Sequence, residues 1–592
     1  MRTPLTTRRP NWGSANVADQ GVLVMTSKTS LLCHAGLGVL AALCISTGAE
    51  AKAKHHVVHD RSSELARQVS DLEAQIQSLE SWRNDEAAQH DQDAAQIAGL
   101  RQQLADTQTQ AQAAQMQAQT QIQTIPNQVK SAVASAEPND GKIHFRGGAL
   151  TIGGFAAAES VYRSRNQEAD IGSAFQKIPF NNAALAHTGE WRGTARQSRL
   201  SLLAQGDINP TTHAAFYSEF DFLGAAQTAN SNESNSYQPR IRHVYGTLDF
   251  DDWGLHLLAG QTWSLATLNN KGITPRNEIT PLTIDAQYVV GFNWTRQPQF
   301  RITKDFANKQ LWAAVSVENP QTTFAGAMPG ASAAGVTGLM VTDTGVSASQ
   351  FNSLNALSLN QIPDVIGKLA FEPDLWGGRP LHLEVYGLYR SFYDRVNVTS
   401  GSNVLGLPVG ASNKSNDGGG VGWGVTFAAV PKILDLQFSG LTGKGIGRYG
   451  SGSLPDAVVG ADGSLKPIQE TELLAGATLH AMPTLDIYGY YGQERESSNF
   501  SKIGASYYGF GTPTGSLAGC SVEGGACSPD LKEEEQFALG LWDKAYNGKF
   551  GSVRVGLQYS YTKLTAFADS ADIKPTTDDN MFFTSFRYYP SF

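Results

Sequence analysis

The chain has 592 residues, with 60 glycines, 24 prolines, 9% aromatic and 17% charged residues and a formal net charge of −9. That length exceeds one ordinary globular domain, and the charge is too small and too dispersed to point to a nucleic-acid partner. After residue 50 there is no run of about 18 consecutive apolar residues, so a membrane-spanning reading requires strands rather than helices.

In chain order, the first signals concern export. Met25 and Lys28 precede the apolar run LLCHAGLGVLAALCISTGAEA, which contains Cys33 and Cys44 and ends small-x-small at Ala49 to Ala51. This predicts a signal-peptide region over 1–51, with translation starting at Met25 and cleavage after Ala51. The HHVVH tract (His55, His56, His59) that follows reads as a solvated N-terminus, and neither a metal nor a cofactor is expected.

Over 60–125 the composition turns to Ala, Gln, Asp and Glu. Val69, Ile76, Ile97 and Leu104 hold heptad position a, and Leu65, Leu72, Leu79 and Leu100 hold d. A seam this narrow cannot be buried by one helix, so a coiled coil and a homo-oligomer are expected. At about 1.5 Å per residue the stalk is on the order of 100 Å long. By itself the a/d composition leans towards a parallel dimer. Residues 126–142, with Pro126 and Pro138, read as a linker.

From 143 to 592 the period becomes two. SVRVGLQYSY sets Val553, Val555, Leu557, Tyr559 and Tyr561 against Ser552, Arg554, Gln558 and Ser560, and AAFYSEFDF sets Phe216, Phe220 and Phe222 against Tyr217, Glu219 and Asp221. Short turns such as DINP and AMPT alternate with long small-residue loops. Placing every long loop at one end gives sixteen strands, the first over 150–163 and the last over 580–592. One greasy aromatic face, one wet face and an even strand count predict an all-β transmembrane fold: a 16-stranded antiparallel outer-membrane β-barrel preceded by an N-terminal α-helical coiled coil. Pro298 cannot donate to a ladder, so a bulge is expected there.

Cys520 and Cys527, exported and seven residues apart in a Gly-rich loop, are expected to form a disulfide. The chain closes on MFFTSFRYYPSF. As strand sixteen this must pair with strand one, with Phe582, Phe586, Tyr588 and Phe592 towards lipid and Arg587 towards water. The terminal Phe592 resembles the signal by which outer-membrane barrel assembly machinery recognises its clients.

No H-E-x-x-H, G-x-S-x-G or Walker pattern occurs, and no enzymatic activity is expected. The G-x-G-x-x-G at Gly445, Gly447 and Gly450 follows a strand without opening a helix and reads as a loop. Phase places Arg199, Arg301, Arg390, Arg554 and Arg587 inwards, with Glu219, Asp221, Glu384, Asp435, Glu472 and Asp486. Arg192, Arg196, Arg240 and Arg242 fall near the outer mouth, and Arg276 in the loop 264–291 that could fold inwards. Opposed charges lining one tube set up a transverse field that water-soluble solutes must cross.

The heptad segment, the sixteen strands, LAGQTWS at 258–264 and RQPQFRIT at 296–303 together resemble the DcaP-like trimeric outer-membrane porins of Gram-negative bacteria, over most of the chain from about residue 60. The resemblance implies a homotrimer, a periplasmic coiled coil and passive diffusion of small hydrophilic, often anionic, dicarboxylate-type solutes. By position it makes Arg196, Arg199, Arg276, Arg296 and Arg301 candidate pore arginines. Strand phase alone puts Arg296 on the lipid face unless Pro298 bulges the strand. Phosphate-selective porins share the same plan. A further alternative is a barrel-anchored envelope tether or adhesin whose coiled coil contacts peptidoglycan or another partner.

Overall fold

The computed structural model describes residues 141–224, 238–325, 339–342, 344–346, 356–373, 375, 380–399 and 405–591, with Val69, Ser70 and Gln102. The signal-peptide region, coiled coil and linker expected over 1–142 fall almost wholly outside the described residues, as does Phe592. The barrel lies in the unit Thr120–Phe592 and is described by itself.

Nineteen strand segments join one sheet. Two of them, Ile143–Phe145 and Leu339–Thr342, are short additions, and Glu190–Thr194 and Arg199–Asn209 are two parts of one interrupted strand. Sixteen antiparallel barrel strands remain. They are β1 (Gly148–Arg163), β2 (Glu190–Thr194 with Arg199–Asn209), β3 (Thr212–Gly224), β4 (Gln238–Phe250), β5 (Leu255–Trp263), β6 (Arg296–Phe306), β7 (Leu311–Glu318) and β8 (Asp364–Phe371), followed by β9 (Leu381–Val398), β10 (Gly410–Val430), β11 (Leu434–Lys444), β12 (Gln469–Met482), β13 (Leu485–Glu496), β14 (Leu531–Gly548), β15 (Gly551–Ala566) and β16 (Thr576–Tyr589). Each pairs with its neighbours in sequence, and β16 returns to β1 in the register Ala156↔Tyr588 through Arg163↔Met581. Closure pairs the aromatic-rich β16 on both sides and leaves no open edge for lipid to meet.

The two faces invert the pattern of a water-soluble protein. On β6, Phe300 and Ile302 are 69% and 58% exposed, whereas Gln297, Gln299, Arg301 and Thr303 between them are buried. The outward face is therefore the apolar one and the lumen is filled with polar groups, as a barrel in lipid requires.

Pro298 needs no bulge. Its ladder with β5 runs without a shift through Gln261↔Pro298. Its carbonyl, which points to the same side as its nitrogen, accepts from Asn319 just beyond the end of β7. The β6–β7 ladder begins only at Gln299↔Glu318, so the missing N–H falls where the neighbouring strand has run out.

Two connections at the long-loop end fold into the lumen. Residues 264–295, between β5 and β6, place Leu265, Ile273, Ile284, Val289, Val290 and Phe292 in full burial. Residues 445–468, between β11 and β12, do the same with Ile446, Tyr449 and Leu454. One isolated bridge, Asn293↔Gly450, ties the two together.

Candidate pore constriction

A loop buried inside a barrel has backbone N–H groups with no ladder to join, so the wall must supply acceptors. Loop 264–295 finds them on five strands. Leu265 N–H donates to Glu318 Oε1 (2.9 Å), Asn269 N–H to Glu384 Oε2 (3.1 Å), Ile284 N–H to Gln558 Oε1 (2.5 Å), Val290 N–H to Gln536 Oε1 (3.0 Å) and Gly291 N–H to Glu494 Oε1 (2.7 Å). Many inward polar residues thus position the loop rather than meet solute.

What the loop leaves open is a cavity of ≈ 430 Å³. Its charged walls are Arg199, Arg242, Arg276, Arg554 and Arg587 with the acids Glu219, Glu278, Asp285 and Asp486, and Tyr217, Tyr245, Tyr288 and Trp542 form aromatic panels. The arginines lie over rings. Arg587 sits between Phe155 (4.9 Å) and Trp542 (4.7 Å), Arg554 lies 4.7 Å from Tyr589, and Arg276 lies 5.9 Å from Tyr217. Stacking of this kind fixes a guanidinium while leaving its N–H edge for other partners.

The arginines differ in how far they are neutralised. Arg242 donates to Glu219 Oε1 (2.5 Å) and Asp221 Oδ2 (3.2 Å), Arg199 lies 3.7 Å from Glu219, and Arg587 donates to Glu159 (2.9 Å). Arg276 and Arg554, in contrast, pair with no carboxylate among the described residues. Arg276 reaches only the hydroxyl of Tyr245 (3.4 Å), and Nε of Arg554 has no hydrogen-bond partner.

The loop contributes acids and a phenol as well. Burial pushes the carboxyl groups of Glu278 and Asp285 above their ordinary range, against the pull of Arg301 on the first and of Ser173 on the second. Burial also acts to raise the Tyr288 phenol, but Arg242, Arg199 and Arg296 outweigh it and hold the group below its usual value. Tyr288 takes φ +71°, a left-handed conformation that a bulky residue rarely adopts, at the point where the loop faces this arginine cluster.

Of the residues singled out in the sequence, Arg199, Arg242, Arg276, Arg554, Arg587, Glu219 and Asp486 come together in the walls. Asp221 lies just behind them, buried under Arg240 (2.7 Å) and Arg242. Arg296 is not on the lipid face. Its guanidinium lies 5.2 Å from the ring of Trp263 and 5.1 Å from that of Trp294, adjoining the same cluster.

Four others do not reach the cavity. Arg196 pairs with Asp170 in the β1–β2 connection. Arg301 is buried against Gln299 Oε1 (3.0 Å) and the carbonyl of Trp263 (2.6 Å). Arg390 is buried between Asp364 (3.2 Å) and Asp456 (2.6 Å), and Glu384 between Lys368 (2.7 Å) and His382 (3.0 Å). Inward phase is correct for these three strand residues, but loop segments cover them. Cys520 and Cys527 are joined, with an S–S distance of 2.07 Å.

Arg242, which sequence phase puts near the outer mouth, is a wall residue because of a β-bulge. The β3–β4 register passes from Glu219↔His243 to Phe220↔Ile241, leaving Arg242 as the extra residue, buried next to His243. A bulge re-aims a side chain, and period-two counting across one fails by a residue. The neighbouring His243 and Arg242 inside a strand were the available signal.

A closed sixteen-strand barrel with an apolar outer belt, a polar lumen and an inward loop gives the chain the fold of a membrane-spanning β-barrel. Among solved structures, its fold is similar to that of the outer membrane channel DcaP of Acinetobacter baumannii, at 17% identity and a TM-score of 0.50, over 75% of this chain and 98% of that one. Salmonella typhi OmpF in complex with daunomycin matches at 11% identity and a TM-score of 0.39, over 76% and 99% of the two chains. Pseudomonas putida OprB matches at 10% and 0.39, over 74% and 94%. No protein-family profile matches the chain, and no curated protein matches it in sequence.

Proposed function

We propose that this chain forms a water-filled outer-membrane channel through which small hydrophilic solutes diffuse passively, with a preference for anions of the dicarboxylate type. The observation that carries the preference is the pair Arg276 and Arg554, which face the cavity without a carboxylate partner among the described residues while Arg199, Arg242 and Arg587 are neutralised. Two uncompensated guanidiniums on aromatic panels attract an anion, yet the wet cavity keeps the attraction weak enough for release. The channel is passive and no catalytic role is assigned. Likeness in sequence motifs supports a homotrimer with its coiled coil in the periplasm of a Gram-negative cell, delivered to the outer membrane by barrel assembly machinery.

The test is purified protein in planar bilayers. Stepwise ion conductance with an anion-selective reversal potential in a salt gradient is expected. A protein that inserts without conducting overturns the channel, and cation selectivity overturns the anion preference.

A further inference from the structure

The glycine-rich run Gly445-x-Gly447-x-x-Gly450-x-Gly452 has no part in the arginine-lined cavity. It forms the inward segment of loop 445–468 and rests on a bed of glutamates. A Cβ on Gly447 would stand 2.9 Å from Glu470 Oε2, one on Gly450 2.4 Å from Glu494 Oε2, and one on Gly452 2.4 Å from Glu534 Oε2 and 2.5 Å from Glu494 Oε2. Only glycine lets the backbone approach so closely.

Glu470, Glu472, Glu494, Glu496 and Glu534 are all buried to 1% exposure or less. Glu494 Oε1 accepts from Gly452 N–H (2.8 Å) and from Gly291 N–H (2.7 Å), so one carboxyl holds both inward loops. Glu472 accepts from Asn293. Both oxygens of Glu470, Glu496 and Glu534, with Glu494 Oε2 and Glu472 Oε1, have no hydrogen-bond partner among the described residues.

Among the described residues no cation pairs with these five carboxyls. From the loops, Asp456 and Asp530 face the cluster, and from β9 the phenol of Tyr386. The nearby guanidiniums of Arg390 and Arg448 are engaged by Asp364 and, for Arg390, Asp456, next to the buried phenol of Tyr449, which Glu318 also faces. Nor do three acidic, histidine or cysteine groups among the described residues converge closely enough to hold a metal ion.

The cluster also lies beyond the hydrocarbon. At its level the outward-facing residues are Thr471, Gln493, Arg495, Glu533 and Glu535, and the apolar belt begins below them at Leu473, Tyr491 and Phe537. Five carboxylate ions packed together out of water without a cation are strongly disfavoured, so the seated loop requires that the cluster share protons. Burial first, then the neighbouring acids, pushes Glu470, Glu472, Glu496 and Glu534 well above the ordinary glutamate range. For Glu494 burial alone opposes three backbone N–H groups and takes it to about 7.

We propose that loop 445–468 is a proton-held plug, seated in the lumen while the glutamate bed is protonated and released into the extracellular vestibule when the bed ionises. Groups whose proton affinity is raised in the seated state contribute stability that is full below the ordinary glutamate range and is lost as pH rises through the raised values. The plug is therefore closed in acid and opens towards alkaline pH, admitting flow on the β11–β14 side of the lumen.

Two measurements on the full-length protein test this. Single-channel conductance at fixed ionic strength should rise roughly twofold between pH 5 and pH 9 as the lumen widens, the rise setting in as Glu494 ionises at about 7. Glu494→Gln/Glu534→Gln, which keeps hydrogen-bonding amides in place of two of the acids, should show a smaller rise shifted to higher pH, since only Glu470, Glu472 and Glu496 then titrate. Amide hydrogen exchange at Gly452 in the unaltered protein should accelerate with pH beyond the hydroxide-catalysed rise seen at Ile284, whose acceptor Gln558 does not titrate. Flat conductance, an undiminished rise in the variant, or parallel exchange at Gly452 and Ile284 would each overturn the plug.

Discussion

Lys368 Nζ lies 2.7 Å from Glu384 Oε1 with both side chains fully buried, and this pair marks where lumen charge becomes scaffold. Lys368 also donates to the carbonyl of Thr267 (2.8 Å) and to Asn269 Oδ1 (3.2 Å), and Glu384 accepts from Asn269 N–H. The pair thus staples the inward loop to β8 and β9. Removing one partner leaves a buried ion alone, so Glu384→Ala should cost about 3–5 kcal/mol of barrel stability. Denaturant or heat unfolding followed by gel mobility reads this. Ion selectivity of the surviving channel should be unchanged, which separates a staple from a filter.

A filter residue should behave in the opposite way. Arg276→Ala and Arg554→Ala remove the uncompensated cavity charges without stripping a carboxylate of its partner. Each should lower the anion-to-cation permeability ratio by roughly two- to fivefold, the size of an interaction of about 0.5–1 kcal/mol in a wet lumen, and the difference should shrink in high salt. Arg301→Ala is the control. Buried on Gln299 and the Trp263 carbonyl, it should lose stability and leave the reversal potential where it was.

That contrast also shows what could be read from the chain alone. Strand number, direction and facing were legible because one face meets lipid and the other water, so Phe300, Ile302 and their neighbours alternate with Gln299, Arg301 and Thr303 over a whole strand. Inward phase does not tell which inward group touches solute. Arg390 is covered by Asp456, 66 positions away, and Glu384 by Asn269, 115 positions away, and no local pattern encodes either meeting. The second inward loop was hidden for the same reason, since its glycines declare close approach but not to what. Arg242 was missed because a single bulged residue breaks the count.

The disulfide should be local in its effect. Cys520–Cys527 closes a short ring at the long-loop end whose Gly524 N–H donates to the Asn182 carbonyl (2.8 Å), while Asn182 Nδ2 donates to the carbonyl of Gly525 (3.2 Å). For a ring of this length the cross-link contributes about 2–3 kcal/mol to the order of the loop. Reduction should therefore speed amide exchange at Gly524 and near Asn182 while the unfolding transition of the barrel stays in place. A large drop in barrel stability would mean the ring supports the strands as well.

At the short-turn end, histidines do the stapling. His480 is hydrogen-bonded to Asp486 (2.7 Å) and Asp435 (3.1 Å), His256 to Asp249 (2.7 Å) and Asp305 (3.0 Å), and His213 to Asp207 (2.6 Å) and Asp251 (3.0 Å). Asp207↔His213, Asp249↔His256 and His480↔Asp486 are directly opposite in the ladder, and the second carboxylate comes from the element on the other side. An imidazole with a carboxylate at each nitrogen must donate from both, so it acts as a cation linking three segments. His480→Ala removes two charge-assisted bonds and leaves Asp435 without this partner, whereas Asp486 keeps Lys544 (3.1 Å). The loss should be about 1–3 kcal/mol in guanidinium unfolding. The clamps at His213 and His480 are on β3 and β12 and share no partner, so their losses should add in the double variant to within about 0.5 kcal/mol. A double variant no weaker than either single would show that the hairpins are held by their ladders alone.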